Sequence, residues 1–298
     1  MSAATVDIRE RLAELPRPAL WMIATRFKTL GLSQVPVLAG SWIAAGSTGW
    51  RLDAMLSAML GAGAIQIGTN LWNDAADAEN GVDQPDRLGP PRMTALGLLD
   101  AASVRRGALI AFGMAALAGV YLAGIGGWPI IAIGLVSLAL GYFYSMGPRP
   151  LSGLPFGELL VIAFFGVVAV SGTAYLHGAD PLAGRSLLTG VMIGLPAAAV
   201  LMLNNHRDRV QDARAGRQTL AILIGPTASR LFYFATLLGA LGLAFVLAPG
   251  LWLAPAGALA LWLGHAMWHW PVSERLNRLL AQTALFQMLL LVVLIFGS

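Results

Sequence analysis

The stretch Asn70-Leu-Trp-Asn73-Asp74-Ala-Ala-Asp77-Ala-Glu79-Asn-Gly-Val-Asp83-Gln-Pro-Asp86-Arg87 gathers five acids into a chain that is otherwise poor in charge. Asn70, Asp74 and Asp77 are spaced i, i+4, i+7, so a helix carries them on one face. A second stretch answers the first: Asn204-Asn205-His206-Arg207-Asp208-Arg-Val-Gln-Asp212, with Asn204, Asp208 and Asp212 four apart. Both close an apolar run. Carboxylates at the end of a membrane span are costly unless they do something there. Two such clusters facing each other suit divalent cations and a multiply charged anion.

Mg²⁺ prefers oxygen ligands and is usually held by one or two carboxylates plus the phosphates of a substrate. Asp74, Asp77, Asp208 and Asp212 are the candidate ligands for two or more Mg²⁺ ions set against a diphosphate. Arg26, Lys28, Arg87, Arg149, Arg207 and Arg217 lie on the same side and would neutralise the remaining charge. An apolar channel between spans would take a hydrocarbon tail. A diphosphate leaving an allylic carbon would create a cation that aromatic faces stabilise. Tyr142, Phe143, Tyr144, Phe164 and Phe165 are available for that. A cation-coupled transporter is the rival of another class, but its acids would more often lie near the bilayer midplane. His265 and His269 are also four apart, yet they lack the carboxylate of an HExxH metal motif. Beside Trp268 and Trp270 they read as membrane-interface residues.

The elements that must position these residues are membrane spans. The chain of 298 residues is 57% hydrophobic and 11% charged, with a mean hydropathy of +0.71. Soluble domains carry about 25% charged residues. The apolar runs are too long for barrel strands, which leaves a polytopic all-α membrane protein. Cysteine is absent, so there is no disulfide framework or thiol chemistry. The sequence pI of about 10.0 does not indicate nucleic acid, because the basic residues are spread over span ends rather than along one soluble face.

In chain order, Thr5–Leu15 reads as a short interfacial helix. Nine spans follow, near 30–45, 52–73, 107–123, 129–145, 156–176, 187–203, 231–247, 251–268 and 279–296. The whole of 1–298 is one membrane domain, a bundle around a central cavity. Residues 1–28 form its cytoplasmic N-terminal segment, and 74–103 and 204–226 are acidic cytoplasmic loops. Of the 19 Lys and Arg, only Arg51 and Arg185 fall in the loops after the first and fifth spans. The basic side is cytoplasmic by the positive-inside rule, which puts the N-terminus and both acidic stretches on that side. The two stretches also read as a short internal repeat, with the site between the halves of a duplicated bundle.

Asn70-x3-Asp74-x2-Asp77 with Asp208-x3-Asp212 resembles the UbiA superfamily of intramembrane aromatic prenyltransferases. Three segments resemble one branch of it, the 1,4-dihydroxy-2-naphthoate polyprenyltransferases of menaquinone synthesis: Asn70–Arg92, Tyr144–Gly166 and Asn204–Gly225. The Arg26–Leu30 segment resembles the branch's basic-Thr-Leu entry to the first span. Phe27 departs from the usual Pro, Val210 from a common extra acid, and Arg217 from a common Lys. The resemblance implies a Mg²⁺-dependent enzyme of the inner membrane. It would transfer a polyprenyl group from polyprenyl diphosphate to 1,4-dihydroxy-2-naphthoate with loss of CO₂, giving demethylmenaquinol. The four aspartates would hold metal. Asn70, Asn73, Arg26, Lys28, Asp83, Arg87, Tyr144, Arg149, Asn204 and Asn205 would bind the substrates, with Arg149 the candidate cation for the acceptor carboxylate. Another acceptor, such as 4-hydroxybenzoate or a chlorophyllide, stays open.

Overall fold

The computed structural model describes residues 3–79, 88–144 and 150–297. They form helices and turns, with no strand among the described residues. Helices α1 (Ala3–Ala13) and α2 (Arg17–Ala24) lead in. A 3-10 turn at Phe27–Thr29 then enters α3 (Gly31–Ile43). Next come α4 (Leu52–Glu79), α5 (Ala101–Gly126) and α6 (Trp128–Phe143). The following rod is continuous: α7 (Gly157–Ile162), a π-helical stretch (Ala163–Val168) and α8 (Ala169–Leu176). The chain ends with α9 (Gly184–Arg214), α10 (Leu220–Leu247), α11 (Leu253–His269) and α12 (Asn277–Gly297).

This is a multi-pass membrane protein. Six helical segments among the described residues are long and apolar enough to cross a bilayer: α4, α5, Gly157–Leu176, α9, α10 and Glu274–Gly297. Helices α3, α6 and α11 occupy the positions of the other three expected spans. They have 13, 16 and 17 residues, short of the ~20 that span a bilayer core. Length and composition therefore identify six of the nine expected crossings. Leu109, Ile110, Leu117 and Val120 are all exposed on α5, an apolar stripe suited to lipid and not to water.

Helix α9 is the central rod, packed against α10, α12, α3, α7 and the π-helical stretch. Small residues let it approach closely, since helices in lipid gain from contact between backbones. A Cβ on Gly166 would collide with the Gly190 carbonyl, and one on Gly194 would lie 2.9 Å from the Ile162 carbonyl. Most of the buried core belongs to α9–α12 and α3. A smaller cluster around Leu71, Trp72, Met93 and Val104 fixes the acidic end of α4.

Both acidic stretches are helical for longer than the sequence suggests. Helix α4 continues to Glu79 and α9 to Arg214, so Asp74, Asp77, Asp208 and Asp212 stand on helices rather than in the expected loops. Each helix simply outruns its apolar part, and the intrahelical ladder needs no apolar side chains to continue.

At the opposite end of the bundle, His177 ties its own turn to α3 and to the loop that leads into α4. Its Nε2 lies 2.9 Å from Ser41 Oγ, and its Nδ1 accepts the Arg51 backbone N–H at 3.2 Å. Trp50 stacks on the ring at 5.6 Å between centroids. Because Nδ1 is an acceptor, the proton sits on Nε2 and is donated to Ser41. Burial pushes the His177 pKa down, with Asp53 opposing weakly.

Two outcomes follow from this packing. Gly166→Ala should lower the melting temperature of the detergent-solubilised protein, at a cost of about 1–3 kcal/mol for overpacking. The His177 contribution is complete above the ordinary imidazole pKa of about 6.5. It is lost as the pH falls from there through the lowered folded value, because the unfolded state then binds the proton more tightly. Melting temperatures at pH 8 and pH 5 should therefore differ less in His177→Gln than in the wild type.

Candidate active site

A cavity of about 1150 Å³ runs down the bundle. Ala58 and Asp77 on α4 both line it, so it extends about 28 Å along that helix at 1.5 Å per residue. One end is polar, with Asn70, Asn73, Asp77, Asn204, Asp208 and Asp212 in the wall. The rest is apolar and reaches Val37, Leu122, Ile130 and Leu176 near the His177 end.

The two acidic motifs meet through an arginine. Arg217 donates from Nη2 to Asp77 at 2.8 Å and from Nη1 to Asp212 at 3.0 Å. It thus joins the ends of α4 and α9. The local sequence explains how it gets there. Helix α9 ends with Gly216 in the left-handed conformation, φ 75°. Gly216 N bonds to Ala213 O at 3.1 Å and Arg217 N to Asp212 O at 2.9 Å. That is a Schellman turn with glycine at the position where a side chain would be strained. It folds residue 217 back beside Asp212. Burial alone would lower the Arg217 pKa, but the charges of Asp77 and Asp212 outweigh it and hold the guanidinium above its ordinary value.

Arg92 approaches Asp77 from the other side, donating to Asp77 Oδ2 at 3.2 Å and to Asn73 Oδ1. It belongs to the turn leading to α5, and Asp74 builds that turn. Asp74 accepts the backbone N–H groups of Met93 at 3.2 Å and Thr94 at 3.4 Å. Asp74 is buried and is not in the cavity wall, whereas Asn73 and Asp77 are. The helical period accounts for the difference. Asp74 lies about 60° around the axis from Asp77, while Asn70 lies only about 20° away.

Arg26 sits in the left-handed region, φ 54°, the one non-glycine residue to do so among the described residues. Side chains of α4 pin both flanks of that corner. Asn70 donates to Thr25 O at 3.1 Å and Gln66 to Thr29 O at 2.9 Å. The corner brings Arg26 Nη2 to 3.4 Å from Asn73 Oδ1. On α9, Arg207 holds Asp208 with two bonds, 2.7 Å from Nε and 2.6 Å from Nη2. Its Nη1 donates to Asn277 at 2.6 Å, and Asn277 in turn donates to Leu88 O at 2.9 Å.

Of the expected site residues, Asn70, Asn73, Asp77, Arg26, Lys28, Tyr144, Asn204, Asn205, Asp208 and Asp212 share the cavity wall. Asp83, Arg87 and Arg149 lie outside the described residues. Tyr144, Phe164 and Phe165 face the cavity, but Tyr142 packs on Trp72 and Phe143 instead, at 5.5 and 5.4 Å between centroids. His206 is buried away from the cavity, and His269 uses Nδ1 on the His265 carbonyl at 2.9 Å. Arg92, bonded to Asp77, and Asn277, bonded to Arg207, are wall residues that stand outside the expected set. Arg92 is the only charge between Arg87 and Asp100, a signal that was available. Asn277 lies in no motif.

No three His, Cys, Asp or Glu side chains converge on one point among the described residues. The donors offered to the cavity by Asn73, Asp77, Asn204, Asp208 and Asp212 are nevertheless all oxygens that suit a hard cation, since amide groups can turn their oxygens to it. Five cations in the wall, Arg26, Lys28, Arg92, Arg207 and Arg217, suit an anion carrying several charges.

The chain belongs to the UbiA prenyltransferase family, whose model matches residues 33–292. It is 37% identical over 233 residues to a 1,4-dihydroxy-2-naphthoate octaprenyltransferase of Mycobacterium tuberculosis, covering 77% of this chain and 78% of that one. It is 30% identical over 234 residues to the enzyme of the same name from Escherichia coli, covering 76% of each. The fold is similar to a UbiA homolog from Archaeoglobus fulgidus solved with GPP and Mg²⁺. That likeness has a TM-score of 0.60 at 17% identity and covers 92% of this chain and 99% of that one.

Arg217→Ala should leave Asp77 and Asp212 facing each other without their shared cation. Removing one partner of such an enclosed pair costs on the order of 3 kcal/mol. The melting temperature should fall, and added Mg²⁺ should recover more of it than it adds to the wild type. Asp74→Ala should lower the melting temperature by freeing the Arg92 turn, and that loss should be insensitive to Mg²⁺.

Proposed function

We propose that the protein transfers a polyprenyl group from polyprenyl diphosphate to 1,4-dihydroxy-2-naphthoate with loss of CO₂, giving demethylmenaquinol. The observation that carries this reading is the amphipathic cavity: paired acids and five cations at one end, and a long apolar bore below them. A prenyl diphosphate has that same division into charged head and hydrocarbon tail. The names of the Mycobacterium tuberculosis and Escherichia coli relatives support the naphthoate acceptor.

Asp77, Asp208 and Asp212, with Asn73 and Asn204, would hold Mg²⁺. The metal would neutralise charge on the departing diphosphate as a Lewis acid. Arg26, Lys28, Arg92, Arg207 and Arg217 would pair with the phosphate oxygens. Asp74 contributes indirectly, by fixing the turn that carries Arg92. The ring carbon that bears the carboxylate attacks the allylic carbon, whose bond to the diphosphate oxygen breaks with the electron pair leaving on the diphosphate. The bond from ring to carboxylate then breaks, CO₂ leaves, and its electron pair restores the aromatic ring. Tyr144, Phe164 and Phe165 face the cavity where the allylic cation would develop and would stabilise it through their ring faces. Arg149, Arg87 and Asp83 keep the substrate-binding roles that the resemblance implies for them. The basic residues at the polar end support an active site open to the cytoplasmic side of the inner membrane, with the N-terminus on the same side.

The test is to incubate membranes containing the protein with labelled prenyl diphosphate and a panel of aromatic acceptors. A decarboxylated prenyl naphthoquinol should form, and EDTA should abolish it. A product retaining the carboxyl group, or a preference for 4-hydroxybenzoate, would overturn the choice of acceptor. Asp77→Asn should remain folded and lose at least about 100-fold in turnover, the scale on which removal of a transition-state charge partner is felt. Turnover within about twofold of wild type would overturn the role of Asp77.

A further inference from the structure

One buried acid near the cavity has no part in the scheme above. Glu158 stands at the start of α7 and is 2% exposed. Its neighbours Gly157 and Leu160 line the cavity, and it does not. No cation pairs with it among the described residues, and its Oε2 has no hydrogen-bond partner there. Its one side-chain partner is Asn205, whose Nδ2 donates to Oε1 at 2.9 Å. An acid kept out of water without a cation is costly. Such groups concentrate where a site needs them.

The single bond has a directional consequence. Oε1 is an acceptor whether the carboxyl group is ionised or carries its proton on Oε2. The amide of Asn205 must therefore turn its nitrogen toward Glu158. Its Oδ1 then takes the other direction. That oxygen makes no hydrogen bond among the described residues, and Asn205 lies in the cavity wall. Asn205 precedes Asp208 by about one turn of α9, which sets it nearer the apolar part of the cavity than Asp208. Diphosphate oxygens bear no proton at this level of charge and are poor partners for the Asn205 oxygen. A hydroxyl group on an aromatic ring is a good one.

We propose that Glu158 is a positioning residue that locks the Asn205 amide, so that Asn205 Oδ1 accepts a hydrogen bond from a ring hydroxyl of the aromatic acceptor. This rests on the acceptor reading given under Proposed function. The bond orients the ring in the cavity. It also pushes electron density from the hydroxyl oxygen into the ring, which makes the attacking carbon a better nucleophile. The chain thereby divides the cavity between its substrates. Arg26, Arg92, Arg207, Arg217 and the wall aspartates serve the diphosphate and its metal, and the Glu158–Asn205 pair serves the acceptor.

Steady-state kinetics on the full-length protein in detergent or proteoliposomes test this, with each substrate varied in turn. Glu158→Ala should raise the KM for the dihydroxynaphthoate acceptor about tenfold, the factor carried by one hydrogen bond of about 1.4 kcal/mol. The KM for the prenyl diphosphate and the Mg²⁺ requirement should stay within about twofold, since neither touches the pair. Glu158→Gln keeps an accepting oxygen for Asn205 and should restore the wild-type acceptor KM. Asn205→Ala removes the same oxygen without emptying the Glu158 site. It should reproduce the selective rise even if Glu158→Ala fails to fold. Of the two monomethyl ethers of the acceptor, one should have the same KM in the wild type and in Glu158→Ala.

Equal rises in both KM values, or a shifted Mg²⁺ requirement, would overturn the proposal and assign Asn205 to the metal or diphosphate. A Glu158→Gln variant as impaired as Glu158→Ala would overturn it in favour of a role for the charge. A difference preserved for both methyl ethers would also overturn it. A wild-type protein that prenylates no aromatic acceptor would defeat the proposed function itself. Normal wild-type activity with an unaffected Glu158→Ala would defeat the Glu158 role alone.

Discussion

Carboxylates brought together at the head of an apolar cavity repel one another, and the structure is organised around compensating them. Arg217 is the central compensation. It holds Asp77 at 2.8 Å and Asp212 at 3.0 Å, and so fixes where α4 ends relative to α9. Enclosed charge of this kind is tolerated only when geometry and hydrogen bonding are good. The surrounding turns supply that geometry. Gly216 bends the chain back so that Arg217 can reach, and Asp74 fastens the turn from which Arg92 reaches Asp77 on its other side.

The bilayer sets the terms on which this is done. Backbone groups in lipid must be satisfied within the segment, so the charged side chains have to be carried by helices. Helices α4 and α9, with 28 and 31 residues, exceed what the hydrocarbon layer needs. The excess turns project the aspartates beyond the apolar part without any break in hydrogen bonding. Small residues on the π-helical stretch and α9 bring those elements into backbone contact, which leaves the remaining width of the bundle for the cavity. The result separates charge from hydrocarbon along one axis, matching a substrate built the same way.

Acids of the same type have different work here because their neighbours differ. Asp74 receives backbone N–H groups and builds a turn. Asp208 is held by Nε and Nη2 of Arg207. Asp77 and Asp212 share one guanidinium. Glu158 has a single amide for company. The donors around each carboxylate, rather than its chemical type, set whether it supports the chain or faces a substrate.

The sequence by itself determined the class of fold, the two acidic clusters and the end of the molecule on which they lie. Those follow from hydropathy, from the i, i+4, i+7 spacing and from the distribution of basic residues, all of which are local. It also carried the family resemblance, because the motifs are short and contiguous. The turn that places Arg217 was partly legible as Ala-Gly-Arg after a helix. The separation of Asp74 from Asp77 was not, since an i, i+3 pair lies within one broad helical face. Which of the two meets the cavity depends on how α4 is rotated against α2 and the 92–99 turn. Asn277 and Glu158 were equally invisible, because their partners lie 70 and 47 residues away. Apolar runs alone did not set the number of bilayer crossings. Such a run signals burial in hydrocarbon or in protein alike, and only the folded chain separates a full-length span from the shorter helices α3, α6 and α11. The bridging of the two acidic motifs by one guanidinium is likewise a tertiary fact. It requires two helix ends, distant in sequence, to be held within hydrogen-bonding reach.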